Sequence, residues 1–211
     1  MEGWGPIERK DKHPAAANHR RKDDKMTTKT KIATGLATMA AVVALPAAAF
    51  AATATSTGTL APGALSLTTS AAPTFSATLD GTDQTKTYTV PTVVTDSRGS
   101  GAGWNLTITS TQFTTGGATP STLATNASSI TGVANSCAPG STCTNPTNSV
   151  SYPVGVPAAP TPPTAVKYFN AATSTGKGKF NNTPSVDVFI PADANAGTYS
   201  STLTLSAISG P

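Results

Sequence analysis

Short runs of alternating apolar and polar residues dominate the chain from residue 52 onwards, and they are the feature that most limits its fold. In WNLTITS, residues 104–110, Trp104, Leu106 and Ile108 share one face, and hydroxyl and amide side chains share the other. SVDVFIP (185–191) and YSSTLTLSAI (199–208) repeat the pattern. One apolar face per strand is what two stacked antiparallel sheets require. Because Gly, Pro or Thr interrupts every window long enough for a helix, the sequence predicts an all-β fold. We expect an antiparallel β-sandwich of about 7–10 strands with long Pro/Gly-rich loops.

Two other segments add detail to this prediction. TFSATLDGTDQTKTYTV, residues 74–90, predicts a hairpin around the turn DGTD. The apolar faces of its two strands would carry Phe75, Ala77 and Leu79, and then Tyr88 and Val90. Between Gly116 and Pro163 the alternation weakens, which predicts a Pro-rich loop region in which SYPVGVP (151–157) is the best strand candidate.

The segment that starts at Met26 has the layout of a secretory signal peptide. Two lysines precede an apolar run over residues 32–45, which Pro46 and the small-residue site Ala-Phe-Ala (49–51) follow. We therefore expect residues 26–51 to be a signal peptide and residues 1–25 to be a disordered upstream extension. A retained membrane anchor is the alternative, although the apolar run is shorter than the roughly 20 residues of a membrane span.

The positive charge of the chain belongs mostly to this N-terminal part. The 211 residues carry a net charge of +4, but residues 52–211 contain five Asp against four Lys and one Arg, so 5 − 5 = 0. We expect residues 52–64 to be a flexible N-terminus and residues 65–211 to be one domain. A neutral domain has no polycationic surface, so neither nucleic acid nor membrane is expected as a partner after cleavage.

The inventory of reactive groups argues against catalysis. Both His and both Glu residues precede Met26, which leaves Asp, Lys, Tyr and hydroxyl groups as the only acid, base or nucleophile candidates. Asp80 and Asp83 lie in the predicted turn, where Asp side chains usually bond their own backbone. We expect no enzyme, no cofactor and no metal site; a calcium site at DGTD or DANAG is the weaker alternative.

Two further groups of residues stand out. Cys137 and Cys143 in SCAPGSTCTNP predict a disulfide that closes a small loop and contributes about 2 kcal/mol, with two free thiols as the alternative. In TGKGKFNNT (175–183), Lys177, Lys179 and Phe180 cluster together. They are candidates for contact with an anionic wall polymer, and a solvated hairpin tip explains them equally well.

Segments GWNLTIT (103–109) and IPADANAGTYSSTLTLSAISGP (190–211), with LDGTDQTKTYTV upstream, resemble the WxL-domain surface proteins of Gram-positive bacteria. Trp104 and Leu106 match the first Trp-x-Leu motif of that family. In the second motif Tyr199, Leu203 and Thr204 stand where expected. The Trp and Leu of that second motif are replaced, at Leu205 and Ala207.

The resemblance implies a secreted cell-surface protein that attaches non-covalently to the cell wall, through peptidoglycan or an associated glycan. The motif makes Trp104, Leu106, Tyr199 and Leu203 candidate wall-binding residues, while the alternation assigns Trp104 to the core; both interpretations stay open. Other surface proteins are possible partners. The alternative function is a structural subunit of a surface layer or filament that has no ligand of its own.

Overall fold

The computed structural model describes residues 52–211. The predicted extension and signal peptide lie outside the described residues. Ten strands and no helix occur within residues 52–211, which confirms the predicted all-β class. The strands are β1 (Leu65–Thr69), β2 (Gln84–Thr89), β3 (Thr92–Asp96), β4 (Trp104–Thr111), β5 (Ser128–Cys137), β6 (Val154–Gly155), β7 (Ala158–Ala159), β8 (Val166–Ala171), β9 (Gly178–Ile190) and β10 (Leu203–Ser209). The described part of the chain therefore contains no helix with the length and hydropathy of a membrane span.

The strands form two sheets. The first has the order β1-β3-β9-β5-β6, and β2 also pairs with β9, end to end with β3. In the second, β4 pairs with β10 along one edge and with β8 and the short β7 along the other. All pairs are antiparallel except β4 with β7. Residues 52–64, before β1, are exposed and contain no strand.

The core lies between the two sheets, on the faces that the alternation predicted. From β4, Trp104, Leu106 and Ile108 are fully buried, and from β9, Val186 and Val188 are too. Each such side chain contributes on the order of 1.5–3 kcal/mol when it leaves water. The alternation of β4 and β9 thus determines which faces the two sheets bury against each other.

Strand β9 contains a proline, Pro184, in the middle of a sheet, where a missing N–H group normally disrupts pairing. Both neighbours are irregular at this level. On one side of β9, β5 has a bulge between Ile130 and Gly132. On the other side, the proline lies level with the gap between the end of β2 and the start of β3. There the backbone N–H of Val90 donates to the carbonyl of Pro184 at 3.0 Å. The proline is tolerated because its neighbours are already out of regular register.

The predicted hairpin over residues 74–90 is wrong. Residues 70–83 form no strand, and β2 pairs with β9 instead, with Tyr88 opposite Val186. Phe75 stacks on Tyr88 with ring centroids 6.0 Å apart, and it meets Phe113 edge-on at 5.6 Å. Of the predicted apolar face only Phe75 is half-buried; Ala77 and Leu79 are exposed. The alternation in this segment therefore reflects neither strand pairing nor a buried face.

The prediction of loop between Gly116 and Pro163 is also wrong in part. This region contains β5, whose ten residues pair along most of β9. Within SYPVGVP only Val154 and Gly155 form a strand, β6. Strand β5 was missed because its sequence, SSITGVANSC, has few apolar residues and is interrupted by Gly132.

The disulfide between Cys137 and Cys143 is present, with Cα atoms 5.9 Å apart, which is an ordinary separation for a bonded pair. The loop it closes packs on the start of β9. The N–H of Ala138 donates to the carbonyl of Lys179 at 2.8 Å. A Cβ atom at Gly178, where φ is +112°, would lie 2.9 Å from Cβ of Cys143. The disulfide thus fixes the loop closely against the first residues of β9.

Candidate functional site

The tryptophan of the Trp-x-Leu pair is a core residue. Trp104 is 0% exposed, and its Nε1–H donates to the carbonyl of Gly176 at 2.8 Å. Its ring lies 5.9 Å from that of Phe169 and 6.2 Å from that of Phe180. Leu106 is also fully buried. Neither side chain reaches the surface of the folded domain, so neither offers a contact to a wall polymer.

An ion pair holds the chain just before Trp104. The guanidinium of Arg98 contacts both carboxylate oxygens of Asp96, at 2.8 and 2.9 Å, and donates to the carbonyl of Gly103 at 2.8 Å and to the hydroxyl of Ser209. These hydrogen bonds hold the pKa of Asp96 below its usual range, although burial opposes the shift. The pair ties the end of β3 to the start of β4 and the end of β10. In the sequence, the only signal for this ion pair is two opposite charges two residues apart, just before the glycines at 99, 101 and 103.

The lysine cluster lies at the same end of the domain as Trp104. Lys177 and Lys179 are exposed, but Phe180 is fully buried, which corrects its assignment as a surface contact. The reason is that β9 begins at Gly178, so its alternation points Lys179 outward and Phe180 into the core. Only the two lysines remain available to a partner at this tip.

A cleft opens at the other end, beside the edge strands β2 and β10. It has a volume of about 1020 Å³, and we call it the inter-sheet cleft. Residues 71–79, the covering segment, form one wall, and the loop of residues 194–202 forms another. Its apolar lining comes from both sheets and both walls: Phe75, Tyr88, Phe113, Tyr199, Leu203 and Leu205.

The cleft contains the surviving residues of the second motif. Tyr199 is half-buried, and its hydroxyl donates to the carbonyl of Asn195 at 2.9 Å. Leu203 is half-buried at the start of β10 and faces the same space. The structure therefore brings Tyr199 and Leu203 together and leaves the first motif in the core. Proximity in sequence could not have shown this, because the other cleft residues come from five separate segments.

The electrostatic character of the cleft is neutral. None of its lining residues, all within the described range, carries a charged side chain. Burial raises the pKa of Tyr88 to about 12, so its hydroxyl is uncharged at any physiological pH. The polar lining consists of amide and hydroxyl groups such as Asn195, Ser200 and Thr202. The site can offer hydrogen bonds and ring faces, and it offers no ion pair.

The covering segment leaves most of its backbone available. Within the described structure it makes no hydrogen bond between backbone groups. At its ends, the N–H of Ala71 bonds the hydroxyl of Thr69 at 3.2 Å, and the carbonyl of Thr78 accepts from Gln84 at 2.6 Å. Strand β2, next to it, has β9 as its only partner strand. Unpaired backbone groups need water or a ligand as a partner.

The aspartates of the predicted turn bond the local backbone and its neighbours. Asp80 accepts from the N–H and the hydroxyl of Thr82, at 3.0 and 2.8 Å, and these bonds lower its pKa. Asp83 accepts from the N–H of Ala192 at 2.8 Å. Within residues 52–211 no group of three potential metal-ligating side chains comes together.

Fold and cleft together define a β-sandwich domain with an open cleft whose described lining residues are uncharged. A family model described as WxL domain surface cell wall-binding matches residues 54–209, and the chain belongs to this WxL family. Membership places the protein at the cell surface, in association with the cell wall. Comparison with curated proteins and with solved structures gave no significant match.

Proposed function

We propose that this chain is a secreted protein that attaches non-covalently to the wall of a Gram-positive cell by binding peptidoglycan or an associated glycan. The observation that carries the proposal is the family match over residues 54–209, whose description is cell wall binding. The domain that the match covers includes the complete sandwich and the inter-sheet cleft.

The surface of the domain supports a binding role over a catalytic one. Catalysis requires an activated nucleophile, acid or base near a site. The described lining of the cleft has Ser, Thr and Tyr hydroxyls but no His, Asp, Glu or Lys that could activate them. Concave sites with apolar walls and a few polar groups are typical of ligand binding. The proposed activity therefore needs only adhesion, and no reaction.

Co-sedimentation with purified cell walls tests this function. The full-length protein, mixed with walls and centrifuged, should move to the pellet in a saturable manner. An unrelated secreted protein of similar size measures trapping. Recovery in the pellet no greater than that of the control would remove the proposed function.

Fractionation of the producing cells tests secretion separately. The protein should occur in the wall fraction, and sequencing of its N-terminus should begin at Ala52, directly after the predicted cleavage site. A protein recovered from the cytoplasm with residues 26–51 intact would contradict secretion, and it would leave the wall-binding measurement unaffected.

A further inference from the structure

We infer that the inter-sheet cleft is the wall-binding site and that its ligand is an uncharged glycan chain of N-acetylhexosamine type. This inference rests on the proposed function and adds to it a location and a ligand class. It assigns the recognition to Tyr199, Phe75 and the backbone of the covering segment. It assigns no direct contact to the Trp-x-Leu pair.

The first argument is charge. Anionic wall polymers and peptide stems carry phosphate, carboxylate or ammonium groups, whose burial without an opposite charge is costly. The cleft offers no charged side chain. The exposed Lys177 lies beside Trp104, at the far end of β4 from the cleft, and the eight residues of β4 span about 23 Å. An uncharged sugar chain is the wall component that suits a neutral cleft.

The second argument is shape and surface chemistry. Half-buried rings of Phe75 and Tyr199 offer flat apolar faces on which a sugar ring can stack. Small residues line the cleft at 71–72 and at 194, 196 and 197, which leaves space in it for acetamido groups. With a volume of about 1020 Å³, the cleft lies at the upper end of the roughly 300–1,000 Å³ range of small-ligand sites, so it fits more than one ring.

The third argument is hydrogen bonding. Sugar hydroxyl and acetamido groups need donors and acceptors, and the covering segment presents backbone groups that make no hydrogen bond with another backbone group of residues 52–211. Uncharged side chains such as Thr202 and Asn195 add to them, although the amide nitrogen of Asn195 already donates to the hydroxyl of Ser121 at 3.1 Å. These groups lie beside the two ring faces, so one ligand could meet both. Aromatic faces next to unpaired polar groups are the combination that a neutral glycan requires.

Binding of an N-acetylglucosamine tetramer, measured by calorimetric titration of the full-length protein, tests the inference. Two variants change the cleft: Tyr199→Ala removes a ring face, and Ala196→Trp fills the space. Two matched controls make the same changes on the exposed outer face of the first sheet, Phe189→Ala and Ala134→Trp. We expect both cleft variants to weaken binding at least about tenfold and both controls to stay within about twofold of wild type.

The variants separate binding from folding. Each variant is also unfolded in urea, and only those with a wild-type midpoint are compared. If Tyr199→Ala shifts the midpoint, Ala196→Trp, whose side chain starts from an exposed position, carries the test.

The wall assay distinguishes the possible sources of the ligand. Walls stripped of phosphate-linked polymers with hydrofluoric acid should still sediment wild type, and muramidase digestion should abolish this. If the cleft variants sediment with walls as strongly as wild type does, the cleft is not the binding site, and the proposed function stands. If wild type binds only unstripped walls, or only isolated stem peptides, the ligand is not the uncharged glycan chain. Wild type that binds neither walls nor tetramer overturns both.

Discussion

Replacement of Trp104 by alanine tests whether the Trp-x-Leu pair stabilises the fold or binds the wall. The indole is fully buried. Removal of its roughly 150–250 Å² from the core at about 25 cal/mol per Å² gives about 4–6 kcal/mol as an upper value. Measured Trp-to-Ala changes in cores cost about 3–5 kcal/mol. Natural domains have about 5–15 kcal/mol in total, so Trp104→Ala should lose much of the stability.

Replacement of Trp104 by phenylalanine separates two parts of this cost. Phenylalanine keeps a ring against Phe169 and Phe180 but loses the Nε1–H that bonds the carbonyl of Gly176. The unsatisfied carbonyl and the smaller ring should cost about 1–3 kcal/mol. The order of stability is therefore wild type, then Trp104→Phe, then Trp104→Ala.

Urea unfolding followed by circular dichroism measures these differences. With a slope near 2 kcal/mol per M, a loss of about 4 kcal/mol lowers the midpoint of Trp104→Ala by about 2 M. Wall co-sedimentation of Trp104→Phe, which still folds, should match wild type. The reasoning would be refuted by a Trp104→Ala protein that keeps the wild-type midpoint and loses only wall binding.

Three further changes test other parts of the structure. Gly176→Ala should destabilise the domain by at least about 1–3 kcal/mol in the same urea assay, because φ is +67° and the new Cβ would clash with Ala171 and lie 2.7 Å from Nε1 of Trp104; a wild-type midpoint would contradict the packing of Trp104. Because the folded-state pKa of Asp96 is depressed, its stabilisation is complete above the unfolded value near 3.9 and is lost as pH falls through and below it. From pH 5 to pH 3, the urea midpoint of wild type should therefore decrease by more than that of Asp96→Asn. An equal decrease in both proteins would show that the ion pair does not contribute to stability. The Cys137–Cys143 disulfide closes a loop with a sequence separation of six residues. Its reduction should cost only about 2 kcal/mol, so a reduced protein that is unfolded in buffer would mean that the disulfide does more than restrain that loop.

The fold class could be predicted because strands β4 and β9 each carry their own signal. In β4 and β9, apolar residues alternate with polar ones over the length of the buried face, and the structure buries the predicted members. The cysteine pair was equally direct, since two nearby cysteines left few other partners. In these cases the information is local to the segment.

The missed elements depend on partners that are far away in sequence. Strand β5 forms although its own pattern is weak, because β9 supplies its hydrogen-bond partners. In β8, Tyr168 and Phe169 are adjacent and both buried, which alternation forbids; the register irregularity opposite Leu106 and Thr107 allows it. The segment around Phe75 alternates like a strand and has no partner strand. No local pattern contains this information.

The inter-sheet cleft could not be predicted for the same reason. Its residues come from the covering segment, the end of β2, the stretch after β4 and the loop before β10. Sequence alone found Tyr199 and Leu203 through a motif and then grouped them with Trp104 and Leu106. The structure puts the two halves of that set in different surroundings, one in the core and one in the cleft.

Strand β9 determines when the first sheet can assemble as the chain is made. Strands β2, β3 and β5 all pair with it, yet paired residues lie up to 190 − 84 = 106 positions apart, as in the pair Gln84 and Ile190. A chain that has emerged only to residue 177 contains these three strands and lacks the one that joins them. Such non-local pairing slows folding. The first sheet therefore cannot be completed until β9 has been made. If the chain is secreted as proposed, this delay keeps it unfolded, and so able to pass through a narrow channel, for most of its export.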